Sequence, residues 1–344
     1  MTSDWKLPPD IVSRNLRVND LDMHVLEAGD LHDPLIILLH GFPELSYSWR
    51  RVISPLASAG FHVVAPDQRG YGRTTMLGRS DPSKPIGYDE DIHPFRILNL
   101  TKDIIALVYA LGCTKVHAVV GHNFGSPVAG HCALIRPDMF QRVVMMSAPF
   151  TGPPSYPLGG AVSSTPDISS LFAPIQNALA QLDPPRKHYI AYFSSPNAND
   201  DLMMRGSKTL KEFLRAYYHV KSADWAHDDP HPLLSLSAES LATLPEYYVM
   251  RLERTMPETV VPQSPSQEEV LTNDWLPDSE LDVYVTEYGR TGFQGGLNEY
   301  RCMTDGSGRS SGDLLLFSGK KGRGSGNVYC GEKRLGDFSE VREG

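Results

Sequence analysis

Gly121-His122-Asn123-Phe124-Gly125 follows an apolar run at residues 116–120 and precedes a helix-like stretch at residues 126–136. In that context two glycines permit a strained turn that pushes the middle side chain outward, the arrangement that presents a nucleophile. The presented side chain is Asn123. Its amide lone pair is delocalised and it carries no negative charge, so attack on carbon from this position should fail. A second segment, His40-Gly41-Phe42-Pro43-Glu44, follows the apolar run at residues 35–39. The backbone N–H of Phe42 could join that of Phe124 to hold a developing oxyanion.

The elements that must position these groups alternate along the chain. Residues 35–39 and 63–66 read as buried parallel strands. Residues 97–111 have helical spacing and stop at Gly112, 116–120 form another strand, 126–136 a helix and 143–146 a strand. Strand–helix–strand units of this kind give a mostly parallel sheet with helices on both faces. From Thr151 the composition turns to Pro, Ser and Asn, with aromatic-rich helical segments at 184–193, 210–220 and 279–288, which reads as an inserted helical cap. Beyond Asp305 the chain is rich in glycine, with one apolar run at 314–317 and little with which to form a strand or helix. The division expected is a core at 1–150, a cap at 151–303 and an aberrant, disordered tail at 304–344.

The chain has 344 residues, 41% of them hydrophobic, enough to bury a full core without a metal or disulfide staple. With 32 Lys+Arg against 41 Asp+Glu, its net charge of -9 repels nucleic acid and anionic lipid surfaces. A small neutral substrate fits better. Cys113, Cys132, Cys302 and Cys330 are far apart and show neither metal-ligand nor disulfide spacing, which makes a reducing compartment the default. The amino terminus lacks a secretory pattern, no apolar run is long enough for a membrane span, and the last four residues match no retention signal, so a cytoplasmic protein is expected.

His40 to Glu44, Asp67-Gln68-Arg69-Gly70-Tyr71-Gly72 and Gly121 to Gly125 together resemble the soluble epoxide hydrolases of the alpha/beta-hydrolase fold, over about residues 7–317. The resemblance implies the alpha/beta-hydrolase fold with an inserted helical cap. It implies an apolar epoxide substrate, no metal and no organic cofactor. In that family an aspartate at the elbow attacks an epoxide carbon, and a histidine assisted by a second carboxylate then activates water to hydrolyse the ester and release a vicinal diol. The elbow position matches Asn123. Two cap tyrosines of the family hydrogen-bond the epoxide oxygen, and they match Tyr189 and Tyr300. The family carries tryptophan where this chain has Glu299. Phe42 and Phe124 match the oxyanion hole, and His40, Pro43, Trp49 and Phe193 match positions expected to line the substrate.

Two departures bear on activity. Asn123 stands where the family has aspartate, and no histidine follows His231, whereas the family's catalytic histidine comes after the cap. Codon degeneracy allows the stretch from Asn327 to be read one base later as Met-Phe-Ile-Ala-Gly-Lys-Lys-Asp, which resembles the family's strand and acid-bearing turn. A frame change near residues 320–322 would remove the acid, the histidine and the last part of the core. Three alternatives compete with an epoxide hydrolase by descent. They are a catalytically dead hydrolase-fold binder of a small apolar ligand, a haloalkane or fluoroacetate dehalogenase-like enzyme, and a serine esterase or lipase, the last opposed by the absence of serine at the elbow.

Overall fold

The structure, a computed structural model, describes residues 5–148, 150, 152–154, 168–204, 209–227, 229–307, 309–320 and 325–329. Its contacts fall into two units, Met1–Asp167 with Thr286–Tyr329, and Ile168–Val285.

The first unit begins with an antiparallel pair, β1 (Val12–Val18) and β2 (Leu21–Ala28), turned at Asn19, whose φ of 53° lies in the left-handed region that asparagine tolerates. Then follow β3 (Leu35–Leu39), α1 (Arg50–Ser58), β4 (His62–Pro66), the short β5 (Thr75–Met76), α2 (Ile97–Ala110), β6 (Ala118–His122), α3 (Gly125–Ile135) and β7 (Arg142–Met146). The sheet order is β1-β2-β4-β3-β6-β7, with β5 on β2. β3 pairs parallel with both β4 and β6, and β6 with β7. β3 and β4 are buried along their whole length, as the apolar runs at 35–39 and 63–66 demand, with His62 buried at the start of β4. The two strands at the start depart from the parallel rule. β2 also meets β4 antiparallel, because the chain reverses between β2 and β3 and then crosses over through α1 to β4, which runs parallel to β3. Sheet residues Ile37, Leu39, Val64 and Val119 share one core with Ile104 and Leu107 of α2 and Val128 of α3.

The second unit is mostly helical, with α4 (Ile168–Ala180), α5 (Tyr189–Phe193), α6 (Ala198–Leu202), α7 (Leu210–His219), α8 (Ala238–Leu241), α9 (Met256–Val260) and α10 (Gln267–Leu271). A two-stranded ribbon, β8 (Arg186–His188) with β9 (Val249–Arg251), takes part of the stretch read as helix at 184–193. Thr209, Thr255 and Ser266 each cap a helix through a reciprocal bond with a glutamate three residues on. α11 (Asp278–Thr291) runs across the division between the units, and α12 (Gln294–Thr304) belongs to the first. Residues 286–303, read from the sequence with the cap, therefore pack with the sheet-bearing unit. The expected start of the cap at Thr151 lies outside the described residues.

The tail needs a correction. Residues expected to form no element give α13 (Arg309–Leu314), a turn at Leu315–Phe317 and β10 (Ser325–Tyr329), which pairs parallel with β7 from Ser325 against Arg142 to Tyr329 against Met146. The physical reason is that an edge strand offers a row of unpaired N–H and C=O groups, which an extended backbone satisfies whatever its side chains. Ser318 Oγ anchors the approach by donating to Pro154 O at 2.6 Å. The rest of the tail, 330–344, lies outside the described residues. Among those described, no helix is long and apolar enough to cross a membrane.

Candidate active site

The turn between β6 and α3 has the geometry its glycines imply. Asn123 sits at φ 51°. A side chain at Gly121 would place its Cβ 2.1 Å from Gly125 O, and one at Gly125 would place it 2.3 Å from Leu39 O, so this turn closes against β3 only with glycine at both positions. Asn123 N–H donates to Met146 O at 3.0 Å, and Ser126 N–H donates to Asn123 O at 3.0 Å. Ser126 Oγ, 2.7 Å from Gly121 O, accepts the Met146 N–H at 3.0 Å and pins the elbow to β7.

The loop after β3 meets this elbow. Phe42 N–H donates to Asn123 Oδ1 at 3.0 Å, so one of the two expected oxyanion donors is held by the elbow's own amide. The other, Phe124 N–H, opens α3 and has no hydrogen-bond partner among the described residues. His40 is fully buried. Gln68 N–H donates to its Nε2 at 3.1 Å, which leaves its Nδ1–H to donate to Gly41 O at 2.9 Å. Burial lowers the imidazole's pKa and suits this neutral form. The ring holds the loop's backbone, and any influence on a ligand passes through that loop. Pro43 follows a cis peptide bond, and Trp49 ends a buried turn, Ser46–Trp49, with its indole N–H unpartnered among the described residues.

Tyr300 is delivered by α12. Gly295 packs backbone-on-backbone against Gly70, and Gly296 lies against Phe42 and the Tyr71 hydroxyl. These contacts set the Tyr300 ring edge-on to Phe42 at 5.5 Å and to Phe124 at 4.5 Å. Asn123, Phe42, Phe124, His40 and Tyr300 thus come together in the first unit. Tyr189 and Phe193 belong to the second, where Tyr189 opens α5, its N–H donating to Tyr248 O at 2.8 Å, with its ring 5.8 Å from Phe193. Burial raises the Tyr189 hydroxyl's pKa, which keeps it a proton donor at neutral pH.

Two pairings escaped the sequence reading. His122 Nδ1 lies 2.8 Å from a Glu44 carboxylate oxygen that also accepts Gly41 N–H at 3.3 Å. Burial alone would raise Glu44, but the His122 ring outweighs it and holds the carboxyl at about 2. The signal was present: an acid four residues after His40, in the oxyanion loop itself. The second is Glu299, where Tyr71 Oη donates to Oε1 at 2.8 Å. Burial pushes this carboxyl up to about 8, against the opposing Tyr71 bond, so it is neutral at pH 7.

That buried acid makes stability depend on pH. Unfolded, Glu299 titrates near 4.5; folded, it keeps its proton to about 8. Unfolding therefore releases a proton between these values, and stability falls as pH rises through the window. Glu299→Gln keeps the acceptor for Tyr71 and removes the titration. Urea titrations should find the variant close to the unaltered chain at pH 4.5 and more stable by up to about 5 kcal/mol at pH 8.5. An advantage independent of pH would sink this account of Glu299.

Comparison with known proteins agrees with the geometry. Residues 34–163 match the alpha/beta hydrolase fold family. The chain is 32% identical over 289 residues to epoxide hydrolase A of Mycobacterium tuberculosis, covering 84% of the chain and 73% of that relative. It is 30% identical over 302 residues to an epoxide hydrolase of Caballeronia sordidicola, covering 88% and 73%. Among solved structures, potato (Solanum tuberosum) epoxide hydrolase I superposes with a TM-score of 0.66 at 28% identity over 94% of this chain and 82% of that one. Epoxide hydrolase A of Mycobacterium thermoresistibile gives 0.67 at 29% identity over the same shares.

Proposed function

This chain belongs to the epoxide hydrolase family of the alpha/beta-hydrolase fold, and from that premise we propose that, as its sequence stands, it binds a small apolar epoxide without turning it over. The observation that carries the reading is the Phe42 N–H to Asn123 Oδ1 bond. It supports an elbow in the nucleophile's position whose side chain is an uncharged amide, its oxygen on the donor that would hold the developing charge of an aspartyl ester. Phe42 and Phe124 N–H are the proposed oxyanion donors, with Tyr300 and Tyr189 as the proposed donors to the epoxide oxygen. Pro43, Trp49 and Phe193 are proposed to line the ligand, and His40 to shape the loop behind it. No histidine follows His231, which supports the absence of the base for the second half-reaction.

The division into a core at 1–150, a cap at 151–303 and an aberrant tail remains part of this reading, with residues 286–303 packed on the core. So does the change of frame near residues 320–322, which the nucleotide sequence across codons 315–335 checks directly.

Titration with styrene oxide, followed by NMR of aromatic signals, should perturb Phe42, Phe124 and Tyr300, and the epoxide should be recovered intact. Recovery of diol in place of epoxide would overturn the reading, and so would an absence of saturable binding.

A further inference from the structure

Ser13 on β1, His24 on β2 and Asp67 just after β4 form a second line of hydroxyl, imidazole and carboxylate that the chemistry above does not use. Ser13 Oγ lies 2.8 Å from His24 Nε2, and His24 Nδ1 lies 2.8 Å from Asp67 Oδ2. One tautomer satisfies both contacts: Nδ1–H donates to the carboxylate, and the bare Nε2 accepts from the serine hydroxyl. Asp67 is fixed and fully buried. Its Oδ1 accepts Ser46 N–H at 2.8 Å, and its Oδ2 accepts Arg73 N–H at 2.9 Å. Burial alone would raise this carboxyl, but the His24 ring outweighs it and holds the group well below the usual carboxylate range.

His24 is buried as completely and cannot swing away. Its N–H donates to Thr74 Oγ1 at 3.0 Å, Thr74 Oγ1 donates to Asp67 O at 2.6 Å, and Asp67 N–H donates to His24 O at 2.9 Å. The Trp5 ring packs edge-on against the imidazole at 4.9 Å. Ser13 faces this pair diagonally across the β1–β2 ladder, in which Asn15 opposes His24 and Ser13 opposes Leu26. Unlike its two partners, Ser13 is exposed, on the edge strand of the sheet. A buried, oriented His–Asp pair ending on an exposed hydroxyl is what general-base activation of a serine requires.

We propose that Ser13 is an activated nucleophile that takes an acyl group from a small activated carboxylic ester. In the step, a bond forms between Ser13 Oγ and the acyl carbon while the hydroxyl proton passes to His24 Nε2. The ester's carbon–oxygen bond then breaks, the alkoxide or phenoxide departs with that bond's electron pair, and the imidazolium returns its proton to solvent. The product is acyl-Ser13.

The probe is 4-nitrophenyl acetate added to the full chain, read by nitrophenolate absorbance and by peptide mapping of acetyl groups. Ser13 should be acetylated about 100-fold or more faster than exposed serines such as Ser83 and Ser307, within the 10²–10⁴-fold range of a positioned base. Ser13→Ala should abolish the burst of about one nitrophenolate per chain. The substitution is at an exposed edge-strand position, so the fold is not at risk, and Ser13→Thr, which keeps the hydroxyl, should retain part of the burst. Acetylation of Ser13 no faster than of Ser83 and Ser307 would overturn the proposal. So would a burst unchanged by Ser13→Ala.

Discussion

Asn123→Asp, with the rest of the chain unaltered, should form one covalent ester per chain with styrene oxide and then stop. The side-chain oxygen at position 123 already accepts the Phe42 N–H at 3.0 Å, so a carboxylate in the same rotamer has one oxygen held and the other free to attack. Attack joins that oxygen to an epoxide carbon and opens the ring, and a tyrosine hydroxyl protonates the oxygen released. Hydrolysis of the ester is a separate problem. With no histidine after His231, the second half-reaction loses the roughly 10²–10⁴-fold that a positioned base supplies. Intact-mass spectrometry should show a stoichiometric adduct at residue 123 with little diol released. Sustained turnover by this variant would point to another base, and the His122–Glu44 pair beside the elbow would be the first to replace. Restoring the shifted frame as well should bring back multiple turnovers.

The second large effect is on folding. Arg69 is buried, its Nε donating to Asp103 Oδ2 at 2.7 Å and its Nη1 and Nη2 to Asp20 at 3.1 and 2.7 Å. Asp103 is itself buried; burial raises its pKa, and the guanidinium opposes that effect. Arg69→Met removes the compensating charge and should cost about 3–5 kcal/mol in urea unfolding, since a buried ion is left without its partner. Arg69→Met with Asp103→Leu removes both charges and should recover most of that loss. A double variant no more stable than the single one would contradict the assignment.

Arg69 also shows what the sequence could tell. The run from Asp67 to Gly72 drew notice as a resemblance, while the reasons for its residue types are structural: Asp67 binds His24, Arg69 binds two acids, and Gly70 admits α12. The buried strands were legible because an apolar run with strand length has few other readings. The elbow was legible because Gly121 and Gly125 bracket it at the spacing its close contacts need. β1 was not. Its residues lie mostly exposed along an edge, with only Val18 buried, and its partner is fixed by a hairpin rather than by a core-facing pattern. β8 was read as helix because three residues carry no period. β10 was missed because its pairing uses backbone groups that the side-chain pattern does not report. Glu299 stood out only as a departure from a family pattern, and its neutral state follows from burial that no local sequence reveals.

The central claim is that this family member holds an epoxide without consuming it. It is tested most directly by counting diol molecules released per chain when the unaltered protein is incubated with excess styrene oxide in ¹⁸O-labelled water, with the uncatalysed background subtracted. The account predicts fewer than one labelled diol per chain and no adduct on Asn123. Many labelled diols per chain would contradict it.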